Sequence, residues 1–126
     1  MRNNIMSNYI NTINASDFNE KTQQKQSFIL NVIATWCSDC TAQALSLQTF
    51  AKNMKESGLE VFNLIAQNEK SVFIDCYHEK LINELGGHGY PRIILIKEGK
   101  IISADNVEVI TEQALTTLAI EFKNWL

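Results

Sequence analysis

The stretch Phe28-Ile29-Leu30-Asn31-Val32-Ile33-Ala34 is an almost unbroken apolar run rich in β-branched residues. Such a run suits a strand buried on both faces of a parallel or mixed sheet, and so a central strand. It leads directly into Trp36-Cys37-Ser38-Asp39-Cys40, after which Ala44, Leu47, Phe50, Ala51 and Met54 recur at helical spacings of three and four. A strand, a short turn and a helix therefore follow one another here, with two cysteines across the junction.

The remaining elements fall around this unit. From Met1 to Asn14 the apolar residues Ile5, Tyr9, Ile10 and Ile13 are sparse, which predicts a loose start or a short first strand. Ser16-Asp17 suits the cap of a short helix from Phe18 to Lys25. Beyond Gly58, the segment Leu59 to Gln67 reads as a second helical piece with Glu60 and Asn63 facing outward, a strand being the alternative. Ser71 to Tyr77 reads as a strand, and His78 to Leu85 as a helix stopped by Gly86-Gly87. Arg92 to Lys97 and Lys100 to Ala104 flank Glu98-Gly99 as a hairpin. A last helix begins after Thr111 and buries Leu115, Leu118, Ala119, Phe122 and Trp125 or Leu126. The expected order is β-α-β-α-β-α-β-β-α, an α/β fold whose sheet starts parallel and ends in an antiparallel hairpin, flanked by helices.

Composition limits what such a chain does. With 126 residues, 45% of them hydrophobic and 20% charged, it is expected to form one globular domain over residues 1–126. The net charge of −3 and the scattered Lys and Arg give no footprint for nucleic acid. No stretch reaches the ~20 apolar residues that span a bilayer, and the first residues lack a signal-peptide core, so no membrane partner and a cytoplasmic location are expected.

Three cysteines are present, two of them only three positions apart. In a reducing compartment such a pair reads as catalytic or metal-binding rather than as a staple. A structural zinc site wants four ligands, and Cys76, His78 and His88 do not have the spacing to complete one, so no metal is expected. An inert pair is the other alternative. Against it stands the strand-to-helix context, which puts Cys37 at a helix N-terminus, where free amide groups and the helix dipole favour an anion. Positions of this kind lower a cysteine pKa to roughly 3.5–7.5, and the thiolate is the form that attacks disulfides. Cys37 is thus the expected nucleophile and Cys40 the expected resolving sulfur. Cys76 is expected to be a small buried residue on a strand, the alternative being a regulatory or dimer-forming thiol. His78 is placed on the surface. His88 reads as a loop residue near the site that can contact substrate.

Trp36-Cys37-Ser38-Asp39-Cys40 after the apolar strand, and Gly89-Tyr90-Pro91 before a second strand ending in Lys97-Glu98-Gly99, together resemble the thioredoxin family. The resemblance runs from about Ser16 to the C-terminus. It implies a thioredoxin-like fold and a cis bond before Pro91, with Tyr90 and Pro91 beside the cysteines. Trp36, Ser38, Asp39, Tyr90, Pro91 and His88 would then contact substrate; for Trp36 the alternative is a plain core tryptophan. It also implies a disulfide reductase acting on protein disulfides, with a thioredoxin-reductase-like flavoprotein as electron donor and no cofactor beyond the Cys37–Cys40 dithiol. A monomer is expected. A dedicated reductant for one partner, such as a peroxidase or a methionine sulfoxide reductase, and a client-binding module with little redox role are the alternatives.

The departures from the family pattern are specific. A central-strand Asp that helps deprotonate the second cysteine is matched by Asn31, and its lysine partner on the next strand by Ile74. The helix-kinking proline is matched by Leu45, and a groove glycine by Val107. Ser38-Asp39 replaces Gly-Pro, as in related proteins with an acidic residue there that are more selective. A surplus around Gly58 to Gln67 reads as an extended or broken active-site helix. Asp39 opposes the helix dipole and disfavours a thiolate, which predicts a more reducing couple.

Overall fold

The computed structural model describes residues 10–87 and 89–126; Ile5, Tyr9 and His88 therefore lie outside the described residues. The elements in order are β1 (Ile10–Thr12), α1 (Ala15–Gln23), β2 (Phe28–Ala34), α2 (Ser38–Glu56), β3 (Val61–Glu69), β4 (Val72–Phe73), α3 (Cys76–Glu84), β5 (Arg92–Lys97), β6 (Lys100–Val107) and α4 (Glu112–Lys123). One six-stranded sheet runs β1-β3-β2-β5-β6, with β4 added to β3. β1, β3 and β2 are parallel, whereas β5 and β6 are antiparallel to their neighbours. This is the expected mixed α/β sheet with a closing hairpin.

β2 sits at the centre because almost every residue in it is apolar, so it can be covered on both faces. Phe28, Leu30 and Val32 face a core shared with α1 and α3. Ile29 faces the other core, shared with α2 and α4. There Leu47, Phe50, Ala51 and Met54 of α2 meet Leu115, Leu118, Ala119 and Phe122 of α4, with the Phe50 and Phe122 rings edge to face at 6.5 Å.

Several expectations change. Leu59 to Gln67 is not helical: residues 61–69 form β3, paired on both sides by β1 and β2. The apparent surplus is therefore a sheet strand and not an added stretch of active-site helix. Ser71 to Tyr77 contributes only the two-residue β4 before α3 begins, so Cys76 is exposed in the first turn of a helix rather than buried on a strand. His78 is buried, 6% exposed, where its Nδ1 lies 2.7 Å from Asp75 and its Nε2 accepts the Ala15 N–H at 3.3 Å. That histidine hydrogen bond holds the exposed Asp75 carboxyl below its ordinary pKa.

The helix ends also differ in detail. α1 is capped by Asn14, whose side chain accepts the Asp17 N–H while Asp17 accepts the Asn14 N–H, a reciprocal capping box. On α2, Gln43 is buried and Ala44 is exposed. α4 is capped by Thr111 as expected but stops at Lys123, leaving Trp125 and Leu126 exposed.

The β5–β6 hairpin turns on Glu98 and Gly99, both at positive φ (52° and 78°), as a two-residue primed turn requires. Gly99 donates its N–H to the Gln26 carbonyl at 2.9 Å, and a Cβ on it would collide with the Thr22 carbonyl oxygen. Gly99→Ala is expected to cost roughly 1–3 kcal/mol, read as a lower urea midpoint at unchanged m-value.

Candidate active site

The C-terminal end of β2 delivers Trp36 and Cys37 to the start of α2, and Cys37 is the N-cap residue of that helix. Its Sγ accepts the Cys40 N–H at 3.2 Å, and its thiol donates to the Tyr90 carbonyl oxygen at 3.6 Å. Cys40 lies one turn into α2 on its buried side. Both sulfurs are free thiols, each on a residue 8% exposed.

The second wall comes from the segment before β5. Tyr90–Pro91 is a cis peptide bond, and the Tyr90 ring meets Trp36 edge-on at 6.0 Å. Trp36 is 39% exposed, with its Nε1 donating to Gln67 Oε1 at 3.1 Å. It is thus a groove residue held by β3, rather than a core tryptophan. Trp36, Cys37, Ser38, Asp39 and Tyr90 line one open groove of about 330 Å³ together with Gly89 and Glu108.

Electrostatics bears on the inner sulfur. Burial, the hydrogen bond to Cys37, and the charges of Cys37 and Asp39 push the Cys40 thiol up to about 12. Burial also raises the Tyr90 phenol, with a further contribution from the nearby Cys40.

Between β2, β3 and the first turns of α2 the buried polar groups are neutral amides. Asn31 on β2 is 1% exposed; its Nδ2 donates to Gln43 Oε1 at 3.0 Å and to Asn63 Oδ1 at 2.9 Å. Gln43, one turn along α2 from Cys40, returns a bond to Asn31 Oδ1 and donates to the Val109 carbonyl at 3.0 Å. The neighbour of Asn31 across the parallel pair is Asn63. Ile74, taken from the sequence as that partner, lies off the strand and is 44% exposed.

Arg92, buried at 6% exposed, anchors the wall next to Pro91. Its Nη1 donates to the Ala104 carbonyl at 2.8 Å, and a Cβ on Gly86 would fall 2.6 Å from the same nitrogen. Gly89 is closed off in the same way, since a Cβ there would meet Val107 Cγ1 at 2.7 Å.

A family model described as Thioredoxin matches residues 9–121. The chain belongs to the thioredoxin family. Solved thioredoxins share its fold: mitochondrial thioredoxin 3 of Saccharomyces cerevisiae is 16% identical at a TM-score of 0.65, over 89% of this chain and 94% of that one. Thioredoxin of Malassezia sympodialis is 13% identical at 0.68, over 97% of both chains. A chain from the complex of ferredoxin:thioredoxin reductase with thioredoxin f2 is 15% identical at 0.68, over 92% and 96%. No curated protein matches the chain. At these identities the structural likeness is one of fold, and the family supplies thiol-disulfide oxidoreductase chemistry in general terms.

Within this thioredoxin site, Gln43, Asn63, Gln67, Arg92 and Glu108 were missed by sequence reasoning. Asn63, Gln67 and Arg92 carry one readable signal, a polar side chain inside or beside an apolar strand run, where it needs buried partners. Gln43 and Glu108 carry none.

Proposed function

We propose that this thioredoxin-family chain reduces protein disulfides, with Cys37 as the attacking sulfur and Cys40 as the resolving one. The observation that carries the reading is the asymmetry of the pair. Cys37 sits at the helix start on the open groove, while Cys40 lies behind it with its proton held to about 12.

Cys37, as thiolate, attacks one client sulfur; the Cys37–client bond forms, the client disulfide breaks, and the departing sulfur takes up a proton. Cys40 then gives up its proton and attacks Cys37. The Cys37–Cys40 bond forms as the second client sulfur leaves. The client has gained two electrons and two protons, and the protein dithiol has lost them.

Trp36, Ser38, Asp39, Tyr90 and Pro91 receive the client chain in this reading, and His88 remains a candidate contact. An outside donor must reopen the Cys37–Cys40 bond, and a thioredoxin-reductase-like flavoprotein has the required chemistry. The fold neighbour from the complex of ferredoxin:thioredoxin reductase with thioredoxin f2 supports a reductase as the class of partner, without choosing its kind. No other cofactor is invoked, and the cytoplasm suits a protein that must start each cycle as a dithiol. The acidic residue between the cysteines favours a selective reductant, dedicated to a peroxidase or a methionine sulfoxide reductase, as the second reading.

The direction of electron flow follows from thiolate stability. Strong oxidants owe their potential to a stabilised reduced form, and burial with the Asp39 charge works against that at Cys40. Equilibration against glutathione redox buffers is expected to give a potential near ~−270 mV. A value above about −180 mV would make the chain an isomerase or oxidase instead.

A further inference from the structure

Among the described residues, the ionisable side chains lining the active-site groove, apart from Cys37 and Tyr90, are both carboxylates, Asp39 and Glu108. Asp39 comes from the first turn of α2, and Glu108 from the residue after β6, so two separate elements bring the same charge to one groove. Glu108 is exposed and held at φ 61°, in the left-handed region where a side chain is uncommon. Its N–H is bonded to the Pro91 carbonyl at 2.8 Å, which fixes it beside the wall that faces Cys37. Two cations lie near, both outside the groove lining: Lys70, 5.7 Å from the Trp36 ring centre, and the buried Arg92, whose Nη1 is bonded to the Ala104 carbonyl and lies 3.8 Å from the Asp105 carboxylate. The net charge of −3 adds to the same field.

We propose that the groove selects clients whose disulfide is flanked by Lys or Arg on an extended segment, and disfavours acidic ones. The inference rests on the reductase reading above. Two effects act in the same direction. The carboxylates attract a cationic segment and repel an anionic one during encounter. In the exchange itself, one negative charge spreads over three sulfurs beside Asp39 and Glu108. A cation brought by the client offsets that repulsion, whereas an acidic client adds to it. Anionic glutathione disulfide belongs to the disfavoured class.

The test uses two disulfide-closed peptides, identical except for two Lys or two Glu beside the cysteines, reduced by the full chain. The ratio of their kcat/KM values is expected to favour the Lys peptide by about ten-fold at about 20 mM salt, and to approach one near 1 M salt. Asp39→Asn and Glu108→Gln should each lower the low-salt ratio, and the double variant should bring it close to one. Glu56→Gln, on the far end of α2, changes the net charge equally and should leave the ratio intact. A low-salt ratio of one, or one that survives the double variant, overturns the charge selection while leaving the reductase reading in place. Failure to reduce either peptide overturns both.

Discussion

Turnover is expected to stop at the covalent intermediate when Cys40 is replaced by serine. Cys37 keeps its groove position and can still form a mixed disulfide, but no sulfur remains behind it to complete the exchange. Steady-state disulfide reduction should fall by at least on the order of 10³-fold, and non-reducing gels should show a client adduct that dithiothreitol removes. Cys37→Ser should lose the same activity and form no adduct. A Cys37→Ser chain that retained full function would make the protein a client-binding module. The native chain should also show the cost of resolving with a protonated sulfur. Once Cys37 is joined to the client its own contribution to the Cys40 shift is gone, but burial and the Asp39 charge remain. Resolution of a preformed mixed disulfide, followed by stopped flow, should therefore accelerate roughly ten-fold per pH unit from about pH 7 to pH 9, in proportion to the thiolate fraction. Stability moves the other way. Cys40 holds its proton more tightly folded than unfolded, so the folded dithiol loses stability as pH rises from 9.0 towards about 12.

The parts of this site that were legible in the sequence are those whose chemistry is local. A cysteine pair across a strand-to-helix junction, a lone proline before a second apolar strand, and a Glu-Gly turn each announce themselves within a few residues. β3 did not, because a strand covered on both faces has no alternation to read: Phe62, Leu64 and Ala66 are buried, but so are Val61 and Gln67 on the other parity. Leu59, Phe62 and the adjacent Leu64-Ile65-Ala66 satisfied helical spacing equally well. That single exchange of helix for strand propagated. With β3 absent, residues 71–77 became the next strand, Cys76 was placed inside it, and Ile74 was set against Asn31. Gln67 stands out as a polar residue in the β3 run, but its bond to Trp36, like the place of Glu108 in the groove, was beyond reach for a different reason. They depend on which strands become neighbours, and no local pattern encodes that.

The amide network that joins β2, β3 and α2 offers the sharpest test of how the buried polar interior is organised. Asn31→Asp replaces a neutral amide with a carboxyl at a position 1% exposed, where Gln43 and Asn63 are its partners and both are uncharged. Gln43 Nε2 would still donate to one carboxylate oxygen, but the oxygen that replaces Nδ2 would face the Gln43 and Asn63 amide oxygens until those amides turn. Gln43 is restrained from turning by its bond to the Val109 carbonyl. Desolvation without a cation raises a buried carboxyl pKa by up to about 3–5 units, at 1.36 kcal/mol per unit. A rise of about 3 units corresponds to a loss of about 4 kcal/mol at pH 7 relative to acid pH. The sign follows from the raised pKa: the variant keeps its stability below the unfolded value of about 4 and loses it as pH rises through the folded value. Urea unfolding of Asn31→Asp at pH 4.5 and pH 7.5 should therefore diverge far more than for the native chain. An equal loss at both pH values would instead mean that the cost lies in broken amide hydrogen bonds and not in a buried charge. If the charged variant folds at pH 7.5, its mixed disulfide should resolve faster than the native one only where the new carboxylate takes the Cys40 proton. Measuring resolution against pH in the same variant separates that proton transfer from the loss of stability, because a base accelerates the step without changing the denaturant midpoint.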